Sequence, residues 1–319
     1  MKKTAVFFLI GCMFLGACQT KPAEKSSITS TAAEENPFDS QAMEQDTSSI
    51  QASYGFGIVN GNEETKELNC TNGEADVEIE FENGDTECQA GVLLFVDGIL
   101  QKYQTKDQEQ LQVMHTLKLK PASKESFHFY FTPEIGVSGK KHQINALAVF
   151  EPDFTATKDN MAYGNYGHGT PFGQWVLCTD ELQNQKKFYQ EFQTQSVSTD
   201  EHSYLCRIFQ GDTEITDMMQ AKDETSLDIH LKGETADKKK YRLCLLINNQ
   251  LVEGAFQGND YAEVTASKTE EAVVSAYFSP KDLNLKENNT IYACYVPYEL
   301  DTSVNGLMAD KSDSILLLN

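Results

Sequence analysis

Aromatic side chains and one histidine gather near the middle of the chain, in the stretch AYGNYGHGTPFGQW (162–175). Such rings can stack on a sugar or on a partner's peptide, and Tyr and Trp add a polar group to a rigid contact surface. Because glycines separate the rings, we predict a flexible loop that carries recognition. The alternative is that the rings fold back on their own domain. The candidate ligand-binding residues are Tyr163, Tyr166, His168, Phe172 and Trp175.

The same stretch contains His-Gly-Thr, which resembles the histidine motif of subtilisin-like proteases. The family's motif continues on a helix with small and apolar residues, whereas Pro171 follows here. The sequence has no matching serine or aspartate motif, and no G-x-S-x-G, H-E-x-x-H or phosphate-binding glycine loop. We therefore predict that the protein is not an enzyme, with no catalytic residue, cofactor or metal ligand. A carboxylate pair between domains that hydrolyses glycosidic bonds is the least favoured alternative.

The N-terminal residues have the composition of a secretory signal. Lys2 and Lys3 precede a mostly apolar run, 4–14, which is shorter than the about 20 residues that a membrane-spanning helix needs. The run leads to LGAC (15–18), which resembles the lipobox of bacterial lipoproteins. The resemblance implies removal of residues 1–17 and diacylglycerylation of Cys18. Because two acyl chains suffice for stable anchoring, we expect an exported protein held at the cell membrane, or at an outer membrane, by lipidated Cys18.

The chain is strongly acidic, with 26 Lys plus Arg against 48 Asp plus Glu and a net charge of −22. Loss of Lys2 and Lys3 with the signal leaves 24 minus 48, or −24. Such a surface is repelled by phosphate backbones, so nucleic acid is not an expected partner. Residues 18–52 are rich in Ser, Thr, Glu, Gln and Ala. They cannot bury enough surface to fold, and we predict a flexible tether there.

The remainder of the chain repeats itself. SYGFGIVNG (53–61) matches SYLCRIFQG (203–211) at an offset of 150, and LLFVDGIL (93–100) matches CLLINNQL (244–251) at 151. The segment 130–149 matches 277–296 at an offset of 147. Because the matches keep the same order, we predict a tandem duplication. The copies are 53–180 and 203–319, joined by a connector, 181–202, that holds a last strand or a helical turn.

Each copy has the periodicity of strands. ESFHFYF places Phe127, Phe129 and Phe131 on one face, and VLLFVDGIL predicts a central strand followed by an Asp-Gly turn. About seven short strands per copy with no helical period favour an all-β fold of two immunoglobulin-like β-sandwich domains. A small barrel is the alternative in each copy.

Six cysteines remain in the mature chain, at 70, 88, 178, 206, 244 and 294. The candidate disulfides are Cys244–Cys294, on two predicted core strands, and Cys70–Cys88. The duplication aligns Cys244 with Leu93 and Cys294 with Leu147, so the alternative is thiols that pack as small apolar side chains. There is no C-x-x-C pair, and no histidine spacing completes a zinc site.

These features together predict a membrane-anchored, surface-exposed bacterial lipoprotein with a binding, adhesion or spacer role. Its expected partners are the lipid bilayer, through Cys18, and an unidentified protein or glycan. The alternative is an accessory subunit of a cell-envelope complex that docks a protein through exposed strand edges.

Overall fold

The computed structural model describes residues 54–61, 67–70, 73–137, 139–160, 166–176, 186–199, 204–300 and 307–319. Within these ranges every regular element is a β-strand, except for one 3₁₀ turn at Pro280–Asp282. No helix in this part of the chain is long and apolar enough to cross a membrane. The all-β prediction is therefore confirmed. The predicted signal, the tether and Cys18 lie outside the described residues.

Two sheets form the first half, residues 54–176. Sheet I has the strand order β1-β3-β9-β6-β7, and sheet II has the order β2-β11-β10-β4-β5, with β8 also paired to β4. The strands are β1 (Tyr54–Ile58), β2 (Glu67–Asn69), β3 (Ala75–Asn83), β4 (Cys88–Val96), β5 (Ile99–Leu100), β6 (Tyr103–Thr105), β7 (Gln108–Gln112), β8 (Leu117–Leu119), β9 (Lys124–Phe131), β10 (Lys141–Phe150) and β11 (Tyr166–Val176).

Two further sheets form the second half, residues 186–319. Sheet III has the order β12-β20-β16-β13-β14, and sheet IV has the order β15-β23-β21-β17-β18, with β19 on β17 and β22 on β21. The strands are β12 (Gln193–Ser196), β13 (Cys206–Gln210), β14 (Thr213–Glu214), β15 (Met218–Gln220), β16 (Thr225–Lys232), β17 (Lys239–Ile247), β18 (Gln250–Leu251), β19 (Ala262–Ala266), β20 (Glu270–Phe278), β21 (Asn288–Pro297), β22 (Asp310–Lys311) and β23 (Ile315–Leu318).

Each half encloses a core between its two sheets. In the first half, alternation along β3 buries Val77 and Ile79 against Leu94 of sheet II. In the second half, Ile229 of sheet III packs in one cluster with Leu245 of sheet IV. The period-two patterns read from the sequence therefore correspond to inward-facing side chains, and the sheets of each half are arranged like a β-sandwich.

A third core joins the halves. Strands β4, β10, β17 and β21 are buried on both faces over most of their length. The faces turned away from their own cores meet each other, so that Leu93 and Phe95 share a cluster with Leu246 and Tyr292. Sheets II and IV thus lie face to face, and the layers follow the order I, II, IV, III. The sequences of these strands are continuously apolar because their two faces pack in two different cores.

The two halves pair their strands in the same registers. Leu93 stands opposite Leu147 across β4 and β10, and Cys244 stands opposite Cys294 across β17 and β21. These are the residues that the sequence offsets of 151 and 147 align. In both halves one short strand is parallel to the last one, β2 to β11 and β15 to β23.

The predicted connector contains a strand of the second half. β12 pairs antiparallel with β20 and forms an edge of sheet III. The first half has β6 beside the equivalent strand, β9. Of the two alternatives for the connector, a strand is the one observed among residues 186–199.

The loop predicted at 162–175 is wrong for the residues that the structure describes there. Tyr166–Val176 is strand β11, which pairs with β10 along its whole length. Two of its glycines, Gly167 and Gly169, allow close packing of another segment. A Cβ atom at Gly169 would overlap the carbonyl oxygen of Ala309 in the second half, and one at Gly167 would lie 3.1 Å from Cδ of Lys311. The strand needs glycine because another segment lies on it.

Candidate functional site

A cleft of about 350 Å³ lies where the two halves meet. Strand β7, the segment that follows it and the turn after β10 line it from the first half, and the β17–β18 turn lines it from the second. The lining residues are Gln108, Gln112, Met114, His115, Thr116, Asp153, Asn248, Asn249 and Gln250. Most of them carry hydrogen-bonding side chains, and Asp153 alone among them is charged.

The β17–β18 turn is fixed in place by its asparagines. Asn248 and Asn249 have φ of 51° and 61°, a left-handed conformation that asparagine tolerates. The Nδ2 group of Asn249 donates to the carbonyl oxygen of Pro152 in the first half, at 2.8 Å, and its Oδ1 accepts from the Tyr292 hydroxyl at 2.8 Å. The turn therefore holds the second half against the first beside the cleft.

His115 is one of the residues that line the cleft. Its side chain is nearly buried, with 3% of the residue exposed, and Nε2 lies 3.0 Å from the carbonyl oxygen of Tyr103. A carbonyl can only accept, so Nε2 carries the proton and Nδ1 is left as an acceptor. Nδ1 has no hydrogen-bond partner within the described part of the chain.

Met114 and Asp153 complete the first-half wall. Met114 packs against Gly91 of β4 so closely that a Cβ atom at Gly91 would overlap its Sδ atom. Asp153 is exposed in the turn after β10, and its carboxylate makes no ion pair with any described residue. The cleft thus combines one apolar thioether with one unpaired negative charge.

The opposite end of the junction is closed by Arg242. Its guanidinium donates to Glu263 Oε1 from Nε at 3.0 Å and from Nη2 at 2.7 Å, and Nη1 donates to the carbonyl oxygen of Asp97 in the first half. The guanidinium carbon lies 4.0 Å from the ring centre of Phe188 and 4.1 Å from that of Tyr298. At this end, the space between the halves therefore holds a cation that is paired with a carboxylate and flanked by two aromatic rings.

A second polar cluster lies on sheet III around Glu271, which is fully buried. Its carboxylate accepts from Gln195 at 2.6 Å, from Arg207 at 2.7 Å and from His230 at 3.0 Å. Burial alone raises the pKa of Glu271, but the hydrogen bonds from His230, Arg207 and Gln195 outweigh it and lower the pKa to about 2. These donors come from β12, β13 and β16, so the cluster ties four strands together.

The aromatic residues chosen from the sequence are not brought together by the backbone. Tyr166 stands opposite Phe150 at one end of β11, and Trp175 stands opposite His142 near the other. The two residues are nine positions apart along the strand, or about 30 Å. His168 and Phe172 occupy positions between them, and Tyr163 lies outside the described residues. Whether these side chains bind a ligand stays a prediction.

None of the cleft residues was selected from the sequence. The Asn248-Asn249 pair was visible as a turn, and QEQLQ (108–112) was visible as a polar segment. Neither pattern indicates that the two segments meet, because their contact depends on how sheets II and IV pack. A comparison of the two halves at the offset of 151 could have pointed to Gly91, which stands where the second half has Arg242.

The cysteines of the described residues are buried, except Cys88, which is partly exposed. Cys88, Cys206, Cys244 and Cys294 are free thiols, so neither candidate disulfide is formed in this structure. Burial raises the pKa of Cys294, and burial together with the charge of Glu151 raises that of Cys88. Cys244 and Cys294 lie side by side in the shared core. The two bridges stay predictions that thiol counting can test.

Metal binding finds no support in the described ranges, where no three His, Cys, Asp or Glu side chains are grouped to hold an ion.

No known protein family matches the sequence. No curated protein matches it either. Among solved structures, a protein of unknown function from Porphyromonas gingivalis W83 matches over 83% of this chain and 99% of its own, with 8% identity and a TM-score of 0.22. A red sea bream transglutaminase matches over 84% of this chain and 31% of its own, with 10% identity and a TM-score of 0.21. At these scores neither similarity bears on fold or activity.

Proposed function

We propose that this protein is an exported bacterial lipoprotein, anchored through Cys18, whose folded residues form a non-catalytic binding module. The anchor rests on the apolar run that leads to LGAC (15–18). Residues 18–52 would separate the folded part from the bilayer, at the cell membrane or at an outer membrane. The acidic charge of the chain disfavours direct contact of the protein surface with anionic lipids. The acyl chains on Cys18 would therefore make the contact with the membrane.

The two halves are, in this proposal, copies of one immunoglobulin-like sandwich domain. Three observations support the duplication: the ordered sequence matches, the shared registers of Leu93–Leu147 and Cys244–Cys294, and the parallel placement of β2 and β15. The halves have since diverged in their cysteines and at their junction.

The observation that carries the binding role is the cleft at the junction. Ligand sites are frequent where domains meet. The shared core fixes the two walls of the cleft relative to each other, so a ligand would meet a preorganised surface. In this proposal the ligand contacts residues of both halves, which the shared core holds together.

Site-specific crosslinking in the bacterial envelope tests the cleft. A photoreactive residue is placed at Gln250, in the cleft, and in a separate variant at Thr269, in the β19–β20 turn at the other end of the second half. We expect a specific adduct from position 250 of the full-length chain and none from position 269. Equal adducts at both positions, or none at either, would refute a binding role for the cleft.

The anchor is tested separately. Cys18→Ser should abolish incorporation of labelled palmitate and release the protein from the membrane fraction. Retention of the variant would overturn lipid anchoring while leaving the binding role intact.

An alternative function is an accessory subunit that docks a protein along a strand edge. The exposed edges of β12 and β7 favour it, because all four residues of β12 and four of five in β7 are exposed. A photoreactive residue at Thr194 that gives the specific adduct, in place of one at Gln250, would select this alternative.

A further inference from the structure

The lining of the cleft is dominated by side-chain amides. Five of the nine lining residues carry one: Gln108, Gln112, Asn248, Asn249 and Gln250. A primary amide presents a carbonyl oxygen, which accepts hydrogen bonds, beside an NH₂ group, which donates them. Both halves therefore contribute side chains on which a donor and an acceptor lie next to each other.

The two asparagine amides are held in place by bonds that leave part of each amide unused. Asn248 donates from Nδ2 to Asn289 Oδ1 at 2.8 Å, and its Oδ1 accepts from the backbone N–H of Thr290 at 3.0 Å. Asn249 likewise donates one bond and accepts one. Because an NH₂ group has two N–H donors, each of these amides keeps one donor beyond the bonds that fix it.

The other polar side chains of the lining are less engaged. Within the described part of the chain, no hydrogen bond is made by the side chains of Gln108, Thr116 and Gln250. Gln112 makes one, from Nε2 to Gln110 Oε1 at 3.2 Å. The Asp153 carboxylate accepts from no described residue. The cleft therefore keeps unused donors as well as unused acceptors.

This combination disfavours three classes of ligand group. An anion would face Asp153, and no lysine or arginine is among the described lining residues to balance its charge. A cation could use the acceptors, but the amide donors around it would stay unpaired. An apolar group would leave the donors and the acceptors unpaired together.

A peptide ligand is disfavoured by the scarcity of apolar surface. Peptides and proteins bind mainly through a few large side chains, often aromatic, that fill pockets on the partner. The described lining contains no Phe, Tyr or Trp. Its one large apolar residue, Met114, is only 7% exposed and packs against Gly91. The cleft thus offers little apolar surface for such an anchor.

We propose that the cleft between the halves binds a neutral saccharide. A hydroxyl group both donates and accepts, so neighbouring hydroxyls of a sugar ring can pair with the amides and with Asp153 without bringing a charge. The volume of about 350 Å³ is at the lower end of the range for small-molecule sites, which suits a short saccharide. Because the described lining has no aromatic ring for stacking, we expect a dissociation constant of about 1 mM. This inference rests on the proposed binding role of the cleft and names its ligand.

The test follows the methyl group of Met114 by NMR in the full-length chain, labelled at its methionine methyls and kept in micelles of a detergent without a sugar headgroup. Met114→Leu assigns the signal, and the Met219 methyl, buried in the core of the second half, serves as an internal reference. The probes are the methyl glycosides of glucose, galactose, mannose and N-acetylglucosamine, each added to about 100 times the expected dissociation constant. We expect at least one of them to shift the Met114 signal saturably and to leave Met219 unchanged.

A matched pair of variants distinguishes a saccharide from a cation. Gln250→Glu replaces an amide donor in the cleft by a carboxylate of the same size. Binding of the responding glycoside should weaken about fivefold, whereas a cation would bind more tightly. Gln193→Glu makes the same change on exposed β12, outside the cleft, and should leave binding unchanged.

Three results would overturn the saccharide assignment. The first is no saturable shift of Met114 with any of the four glycosides. The second is binding that is unchanged or tighter after Gln250→Glu. The third is tighter binding of the peptide Gly-Gln-Gly than of every glycoside, which would assign the cleft to a peptide.

Two further comparisons separate the source of the sugar and the levels of the argument. A disaccharide that ends in the responding unit and binds more tightly would indicate the end of a glycan chain, and equal binding would indicate a single sugar; both support a saccharide site. A specific adduct at position 250 without a Met114 response to any glycoside would refute the saccharide but keep the binding role. Failure of both measurements would refute the two together.

Discussion

Glu271 shows how a single buried charge can fix the segment that connects the two halves of the chain to a sheet of the second half. The carboxylate is fully buried, yet the three donors around it lie on β12, β13 and β16. The first half has an ion pair at the equivalent positions. There Lys124, which aligns with Glu271, pairs with Glu80, which aligns with His230, at 2.8 Å. The second half carries the acid on β20 and its partner His230 on β16, which is the reverse arrangement of charge.

Replacing Glu271 by glutamine should remove a pH-dependent part of the stability. The pKa of Glu271 is about 2 in the folded protein, against an ordinary glutamate value of 4.5. A lowered folded pKa means that the contribution is complete above pH 4.5 and is lost as the pH falls towards 2. The gap corresponds to about 3 kcal/mol. We expect urea unfolding of Glu271→Gln to show a loss of that size at pH 7.

The difference between wild type and Glu271→Gln should then shrink steadily between pH 4.5 and 2.5. Glu270→Gln is the control, because Glu270 is partly exposed and pairs only with Lys238 at the surface; its effect should stay below about 1 kcal/mol. Stability curves for wild type and Glu271→Gln that run parallel through this pH range would contradict the assignment.

Arg242 forms a second largely buried ion pair, with Glu263, and also donates a hydrogen bond to the first half. Its side chain is 9% exposed and that of Glu263 is 16% exposed, so neither charge is well hydrated without the other. Arg242→Met should cost about 3–5 kcal/mol in the free energy of unfolding, because it leaves the Glu263 carboxylate without the cation that pairs with it. Glu263→Gln should be similarly harmful, and the double variant should be less destabilised than the sum of the two. Additive losses measured by urea unfolding would show that the two side chains act independently.

Strand β11 is the element in which composition was most misleading. Glycine, proline and aromatic residues indicated a loop, but eleven residues, Tyr166–Val176, form a strand beside β10. Glycine in a strand marks either a bulge or a close approach of another chain segment, and a local pattern cannot distinguish these from a loop. The deciding contact is with Ala309, far along the sequence.

Gly169→Ala tests this contact. The added Cβ would overlap a backbone oxygen, that of Ala309, which cannot rotate away as a side chain can. We expect a loss of about 2–4 kcal/mol in the free energy of unfolding. The matched control is Gly57→Ala in β1, where an added Cβ meets nothing within 4 Å. That variant should be neutral or slightly more stable. Equal thermal midpoints for the two variants would show that β11 and Ala309 do not pack as described.

Elsewhere the elements could be predicted from the sequence because the information is local. Alternation along β3 and β9 depends only on which face is buried, and it was visible in the residues themselves. The solid runs of β4 and β17 indicated central strands, but not what covers their second face. The cleft and the role of Arg242 depend on that covering layer. Both require contact between sheets II and IV, which no local sequence pattern specifies.

At the scale of the whole molecule, the shared core should make the two halves unfold together. Parting sheets II and IV would expose side chains such as Leu93, Phe95, Leu246 and Tyr292, which are fully buried, at about 1.5–3 kcal/mol for each large apolar residue. A separated state with intact halves would therefore be sparsely populated under conditions in which the halves themselves are stable. Cysteine positions make this expectation measurable, because each of the three cores contains at least one.

Pulsed thiol labelling along a urea gradient, with each cysteine quantified by mass spectrometry under non-reducing conditions, tests this cooperativity. Cys70 reports on the core of the first half, Cys206 on that of the second, and Cys244 with Cys294 on the shared core. We expect all four to become reactive at one urea midpoint, while partly exposed Cys88 reacts earlier. Earlier labelling of Cys244 and Cys294 would mean that the halves part before they unfold. If those two cysteines stay unlabelled in concentrated urea until a reductant is added, they form the disulfide predicted from the sequence, and the bridge then adds to the cohesion of sheet IV.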